Sequence, residues 1–363
     1  MTRLIILGGF LGSGKTSTIL RLADYFVRRG NRVGILTNDQ GQELVDSDLF
    51  RTSGLETRDV RGGCFCCRFT DFFEQAELLK SRLNPEVLLA EPVGSCTDLV
   101  ATVLRPLRHL HPDHFEISPF TVLVDPLRAR DVLGRAGNAA LSAQITYVYR
   151  LQQTEADAIA VNKTDMLLPD ELADVVSLLR AHFPAKRILA FSARTGEGFE
   201  DLAAWLTSPN LGGLSRSPEI DYDVYAAGEA ELAWFDARFG VCALEPVDMD
   251  EILMQLGSLL GERLSAGELH IAHIKLLLRA GEKVCLVNIS RSDATPELSH
   301  SAAACAQFLD LLVNARVAAR PSQLATIMED CLQSWAEMYK VLLSQRSVSS
   351  FSPPRPVPTH RIG

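Results

Sequence analysis

Two stretches of this sequence combine residue types that do chemistry together. Gly9-Phe10-Leu11-Gly12-Ser13-Gly14-Lys15-Thr16 fits G-x-x-x-x-G-K-[ST]. It follows an apolar run, Leu4–Leu7, and opens an amphipathic stretch, Lys15–Arg29, so the pattern predicts strand, tight loop and helix. Gly9, Gly12 and Gly14, with Ser13, let backbone N–H groups turn toward phosphate oxygens at a helix N-terminus, whose dipole favours an anion. Lys15 neutralises the outer phosphates, the Thr16 hydroxyl ligates magnesium, and Ser17 follows as a further nucleotide-binding residue. The second stretch, Gly62-Gly63-Cys64-Phe65-Cys66-Cys67-Arg68, holds three of the eight cysteines. In extended chain Cys64 and Cys66 point one way and Cys67 the other, so a turn is required before the three converge. Arg58, Arg61 and Arg68 surround them and favour thiolates, the form that binds soft or borderline metals. Three thiolates leave an exchangeable fourth position, unlike a closed structural site of four cysteines. Buried small hydrophobes or a redox pair are the competing readings of the same thiols.

A base-recognition signal stands further along. Asn162-Lys163-Thr164-Asp165 closes one apolar run and Ser192-Ala193-Arg194 closes the next. A carboxylate at Asp165 accepts from N1–H and the 2-amino group of guanine, a donor pair that adenine lacks, and adenine would leave it buried and unpaired. The Lys163 stem lies against the base and the backbone at Ser192–Ala193 meets the guanine O6. The nucleotide is therefore GTP. Between loop and base site, Asp39 and Glu91 at strand ends are the carboxylates for magnesium and the attacking water, with Asp46 weaker. Gly94 can turn its N–H toward the γ-phosphate. Gln40, Gln42 and Glu43 are all chemically able to orient the water.

These groups need a scaffold that gathers strand ends. Six apolar runs (Leu4–Leu7, Arg32–Thr37, Val87–Ala90, Thr121–Val124, Ala158–Val161, Ile188–Phe191) alternate with helical stretches such as Asp71–Leu83, where Asp71 and Glu74 have the form of a capping box. This predicts a wound, mostly parallel α/β sheet of P-loop type over residues 1–208. In a right-handed β-α-β unit, helix Asp71–Leu83 starts beside Glu91, which places the thiols near the γ-phosphate. Loss of that phosphate would relax the Asp39 and Glu91 loops and let the metal leave. Residues 209–222 (rich in Ser, Pro and Gly) read as a linker. Residues 223–344 read as a smaller ferredoxin-like α+β domain with a helix at Ser301–Leu312, and 345–363 as a disordered Pro/Ser tail. Cys96 reads as packing, and Cys242, Cys285, Cys305 and Cys331 as core.

The 363 residues are 47% hydrophobic and 22% charged, enough for two cores, which excludes a chain disordered throughout. A net charge of −9 argues against nucleic acid or anionic membrane as partner. No apolar run suits a membrane span or leader, so the thiols are expected to be reduced in the cytoplasm.

GGFLGSGKT, GGCFCC, the E-x-x-G of Glu91–Gly94, VNKTD and SARTG, in that order over Leu4–Leu206, resemble the CobW/HypB/UreG GTPases of the SIMIBI class, and within them the CobW-like branch. The resemblance implies a GTPase, slow without its client, that couples hydrolysis to delivery of zinc, cobalt or a similar ion to a client metalloprotein. By that analogy Cys64, Cys66 and Cys67 are the transferred-metal ligands, and a nucleotide-dependent homodimer is an assembly it allows. Two rivals stand beside it: a GTP-dependent activation or redox-control factor for a metallocofactor enzyme, and a non-catalytic scaffold ordered by GTP and metal. Where many CobW-like proteins read N-E-F-G-E, this chain reads Asn38-Asp39-Gln40-Gly41-Gln42, and Glu91 is followed by Pro92-Val93-Gly94-Ser95-Cys96-Thr97.

Overall fold

The computed structural model describes residues 1–41, 45–134, 141–208, 217–292 and 295–363. They form two compact units, Met1–Gln40 with Gly54–Gly228 and Arg355–Gly363, and Gly41–Ser53 with Glu229–Pro354.

In the first unit the strands are β1 (Thr2–Gly9), β2 (Val33–Asp39), β3 (Glu56–Arg61), β4 (Val87–Glu91), β5 (Phe115–Ile117), β6 (Thr121–Val124), β7 (Ala158–Val161) and β8 (Arg187–Ala190). They run in the order β3-β2-β4-β1-β6-β7-β8 with β5 on β1, every pairing parallel. All six strands expected from apolar runs are present. Leu4, Ile5 and Leu7 of β1 and Leu88, Leu89 and Ala90 of β4 are fully buried, because helices cover both faces of a parallel sheet. β3 reads ETRDVR and buries only Thr57 and Val60, so no apolar run announces it. Along this chain come α1 (Lys15–Val27), α2 (Val45–Thr52), α3 (Phe69–Leu83), α4 (Arg105–Leu110), α5 (Pro126–Leu133), α6 (Ala143–Glu155), α7 (Pro169–His182), α8 (Phe199–Leu206) and α9 (Tyr222–Ala230). The capping box expected at Asp71 is absent: α3 starts two residues earlier and Asp71 pairs with Arg68 at 2.7 Å. Parallel crossovers bring the carboxyl ends of β1, β2, β4 and β7 to one edge, where the motifs lie.

The second unit holds β9 (Leu232–Asp248), α10 (Met249–Ala266), β10 (His270–Ala280), β11 (Lys283–Ile289), β12 (Glu297–His300), β13 (Cys305–Ala318), α11 (Pro321–Tyr339) and β14 (Val341–Phe351). Its antiparallel sheet runs β12-β11-β10-β13-β9-β14. The β14-β9-β13-β10 portion, with a helix after β9 and another after β13, is the expected ferredoxin-like arrangement, and β11 and β12 extend one edge. The helix expected at Ser301–Leu312 is instead the start of β13. Leu309, Leu311, Val313, Ala315 and Val317 enter the core at every second residue, a period only a strand satisfies. Cys285 and Cys331 are buried as expected, whereas Cys242 is half-buried and Cys305 exposed.

The domain limits differ from the sequence reading in three places. Of the expected linker, residues 209–216 lie outside the described residues; the Asp221 N–H donates to the Tyr147 hydroxyl at 2.8 Å, and the boundary falls after Gly228. The tail expected to be disordered is placed: β14 pairs with β9 as far as Phe351, and 355–363 belongs to the first unit. Its prolines lack donors, but Thr359 and Ile362 donate from their backbone N–H to Cys66 O and Ala101 O, both at 2.9 Å. Finally, Gly41–Ser53 belongs to the second unit. There α2 packs on β10 and β13, Asp46 pairs with Lys275, and the Val45 N–H donates to Asn314 Oδ1 at 3.4 Å. Asn314 and Arg316 both donate to buried Asp236, at 2.7 and 2.6 Å. Among the described residues no helix is long and apolar enough to cross a membrane.

Candidate functional site

β1 hands its last residue, Gly9, to the loop, and α1 opens at Lys15. Gly14 has φ 87°, and a Cβ there would strike Asn162 Nδ2, so glycine is required. Lys15 Nζ donates to Gly9 O at 2.8 Å and Phe10 O at 3.5 Å, folding its ammonium over the loop. Ser13 Oγ is buried without a hydrogen-bond partner among the described residues, a group suited to a phosphate oxygen. The Thr16 hydroxyl donates to Glu91 Oε1 at 2.9 Å, both residues buried. A hydroxyl beside a carboxylate is a hard-oxygen pair that suits magnesium. Asp39 lies two residues beyond Thr37, which is in register with Glu91, and so reaches the same edge. A Cβ on Gly94 would meet Leu11 N at 3.1 Å, so the loop after Glu91 lies directly against the phosphate loop. Among the water-orienting candidates, Gln40 has a buried Oε1 with no hydrogen-bond partner among the described residues, while Gln42 and Glu43 lie outside them. Asp46, the weaker candidate, pairs with Lys275 within the second unit.

The base-site residues converge. Asn162 Nδ2 donates to Ser13 O at 3.0 Å and Asn162 Oδ1 accepts from Ala193 N at 2.9 Å, so one side chain joins the phosphate loop to the Ser192–Arg194 loop. The Ala193 N–H that the sequence reading gives to guanine O6 is thus engaged by Asn162. Lys163, at φ 58°, extends to Asp125 Oδ2 at 2.9 Å. Burial pushes the Asp125 carboxyl up, but the Lys163 ammonium and hydrogen bonds outweigh it and hold it below its ordinary value. Asp165 accepts from Ser192 Oγ at 2.5 Å and pairs with Arg194.

The cysteines close into a cluster through the expected turn, with Cys67 N and Arg68 N donating to Cys64 O at 3.0 and 2.9 Å. Cys64 Sγ lies 2.7 Å from Cys66 Sγ and 3.2 Å from Cys67 Sγ, and Cys66 and Cys67 are 3.8 Å apart. Among the described residues this is the group of His, Cys, Asp or Glu side chains placed to share a metal ion. Of the three arginines expected to favour thiolates, Arg61 pairs with Asp59 at 2.8 Å and Arg68 with Asp71, and neither these nor Arg58 figures among the causes that shift the thiols. The sulfurs perturb one another instead. The Cys66 thiol, then those of Cys67 and Cys96, hold Cys64 well below the ordinary thiol range, while contact with Cys64, above all, raises Cys66 and pushes Cys67 up to about 12. A cation bound by these sulfurs exchanges for their thiol protons.

The nucleotide-binding domain of the CobW/HypB/UreG family matches residues 3–189. The chain belongs to that family. Relatives with a CobW/HypB/UreG likeness include the zinc chaperone YeiR of Escherichia coli, 29% identical over 47% of this chain and 49% of that protein. The zinc chaperone CobW of a Sinorhizobium species is 28% identical over 45% of this chain and 51% of its own length. The chain thus spans about half the length of these curated relatives. Among solved structures, HypB from Helicobacter pylori in complex with nickel aligns over 56% of this chain and 85% of its own, at 18% identity and a TM-score of 0.42.

Within this CobW/HypB/UreG domain the structure adds positioning residues that sequence reasoning missed. Asn38 Nδ2 donates to Gly63 O at 2.7 Å and Val60 O at 3.0 Å, and its Oδ1 accepts from Phe65 N at 2.8 Å. It binds the cysteine loop to the end of β2. Asp125 was detectable: it follows an apolar run, precedes Pro126, and caps α5 by accepting from Leu127 N and Arg128 N, both at 3.0 Å. Arg21, which donates to Ala193 O at 2.6 Å and Arg194 O at 2.8 Å, carries no local signal.

Proposed function

We propose that this chain binds GTP with magnesium, hydrolyses it slowly, and uses the change to release a transition-metal ion to a client metalloprotein. Zinc comes first as cargo, in keeping with the names of the zinc chaperones among the relatives, and cobalt second. The observation that carries the reading is the Asn38 clamp: the residue immediately before Asp39 also grips both sides of Cys64, through Gly63 O and Phe65 N. A shift of Asp39 on loss of the γ-phosphate would therefore be felt at the sulfurs.

In this mechanism Thr16, Glu91 and Asp39 hold magnesium, which when bound stabilises the charge developing on the transferred phosphoryl group. Lys15 moves from the loop carbonyls to the phosphates, and Gly94 offers its N–H to the γ-phosphate. Asp165 takes the guanine edge once it turns from Ser192 and Arg194, and Lys163 supports the ring. Cys64, Cys66 and Cys67 bind the cargo as thiolates. A cytoplasmic setting and a nucleotide-dependent homodimer belong to the same reading.

The test is zinc titration against a competing chelator, with GDP and with a non-hydrolysable GTP analogue. Nucleotide-dependent affinity differing by at least about tenfold, the scale of a 1.4 kcal/mol coupling, is the expected result. Equal affinity in both states overturns the reading. Nucleotide-blind zinc with a reversible disulfide would favour the redox factor, and no turnover the scaffold.

A further inference from the structure

The C-x-C-C run has a neighbour 290 residues further along the chain. The Val357 N–H donates to Cys67 Sγ at 3.2 Å, the Thr359 N–H to Cys66 O at 2.9 Å, and the Thr359 hydroxyl to Cys67 O at 3.0 Å. The His360 ring stands edge-on to Phe69, the first residue of α3, with ring centres 5.0 Å apart. Cys64 and Cys66 are buried and Cys67 is half-buried, so this segment meets the most accessible sulfur of the three. Pro356 and Pro358 restrict the residues before them to extended backbone, which presents the N–H groups of Val357 and Thr359 along the cysteine loop.

Beyond Thr359 the same segment is fastened to a different loop. Arg361 Nε donates to Asp98 Oδ2 at 2.8 Å, and the buried Asp98 also accepts from the Tyr222 hydroxyl at 2.6 Å and Ser217 Oγ at 3.0 Å. Breaking a buried ion pair leaves an uncompensated charge, so this contact is a firm anchor. The Ile362 N–H donates to Ala101 O at 2.9 Å, and the Ile362 carbonyl accepts from Arg105 Nη1 at 3.2 Å. Asp98 stands four residues after Gly94, in the loop that follows Glu91. One short segment therefore spans the cysteine loop and the loop from the nucleotide side, all within the first unit.

We propose that Val357–Ile362 is a strap over the sulfur site, which slows departure of the cargo ion and must lift from Cys66 and Cys67 before a client ligand reaches the metal. The inference rests on the metallochaperone reading and adds a gate to it. Three sulfurs leave a fourth coordination position, and a client's donor approaches it past whatever covers Cys67. The strap's own donors go to one ligand sulfur and to the carbonyls of two ligand residues, the supporting contacts that keep metal ligands oriented. Lifting it breaks these three hydrogen bonds and leaves the Arg361–Asp98 anchor in place, so the strap returns once the ion has passed on.

The test is zinc release from the loaded full chain to excess chromogenic chelator, followed by stopped flow. Thr359→Pro removes the N–H and the hydroxyl together, and release should accelerate about tenfold or more, the rate equivalent of about 1.4 kcal/mol, within the range of two hydrogen bonds. Val357→Pro removes only the donor to Cys67 Sγ, from a residue that is 70% exposed and already flanked by prolines, and should accelerate release about threefold. In the zinc-free chain, alkylation of Cys67 by iodoacetamide should rise in the same order, read by peptide mass spectrometry. Release and alkylation unchanged in both variants overturns the strap and leaves the metallochaperone reading standing. Zinc held by the wild-type chain without sulfur ligands, read by X-ray absorption, overturns both. Should Thr359→Pro fail to fold, Val357→Pro decides alone.

Discussion

The base site and the sulfur site share a sheet edge but are prepared for their ligands in opposite ways. At the base site each ionised group already has a counter-charge: Lys163 faces Asp125 and Asp165 faces Arg194. The guanine edge therefore replaces existing partners, and the loops remain organised without it. At the sulfur site the Cys64 thiol is held low by the neighbouring Cys66, Cys67 and Cys96 thiols rather than by a basic side chain. The incoming ion must supply the positive charge and displace protons, so this site responds to pH and to small movements of the chain. A preorganised pocket suits a nucleotide that is held; an uncompensated cluster suits an ion that leaves.

The sharpest way to break this contrast is to damage one site and measure the other. Lys15→Ala removes the cation that now spans Gly9 O and Phe10 O, and nucleotide affinity should fall about 30- to 3,000-fold, the scale of losing a buried charged partner. Equilibrium titration with a fluorescent GTP analogue measures it, and zinc affinity without nucleotide should stay unchanged. Asp165→Asn should shift preference from GTP toward xanthosine triphosphate by about 100-fold or more, read by competition binding; retained GTP preference would remove the base-site assignment. Asn38→Ala leaves Gly63 O and Phe65 N without their partner, so zinc affinity should drop about 10- to 100-fold with GTP affinity intact.

A separate test, of stability rather than affinity, concerns the segment joining the two sites. Glu155, which accepts from Thr97 Oγ1 and Val100 N, is fully buried, and burial raises its carboxyl from 4.5 to about 8. Between those values the folded state binds a proton that the unfolded chain releases. Stability from this group is thus complete below about 4.5 and is lost as pH rises toward about 8, at about 1.4 kcal/mol per pH unit. Glu155→Gln should remove that slope in chemical denaturation measured from pH 5 to 8. An identical slope in both proteins would show that this acid is not the group responsible.

The strands with apolar runs and the phosphate and guanine motifs were readable because their chemistry is local: each needs a strand end and a few residues after it. β3 escaped because an edge strand buries too little, and the first part of β13, as far as Leu312, because its leucines also suit a helix; the strand expected from Asn314 is the rest of β13. The thiol turn was readable from spacing, but not the sources of its electrostatics, since Arg61 and Arg68 already have carboxylate partners. Asn38 and Arg21 act across the sheet edge on segments distant in sequence, and their local surroundings give no sign of it.

The chain passes between its two units four times, at residues 40/41, 53/54, 228/229 and 354/355. No single cut in the gene separates them cleanly. A fragment covering only 229–354 would lack α2, whose Val45, Leu49 and Phe50 are buried, and a fragment ending at 228 would keep that helix without the β10 and β13 it packs on. A chimaera that grafts the back half of a relative onto this front half therefore imports a core missing one of its pieces. Recombination that preserves both units must exchange the short insert after β2 together with the sheet it belongs to.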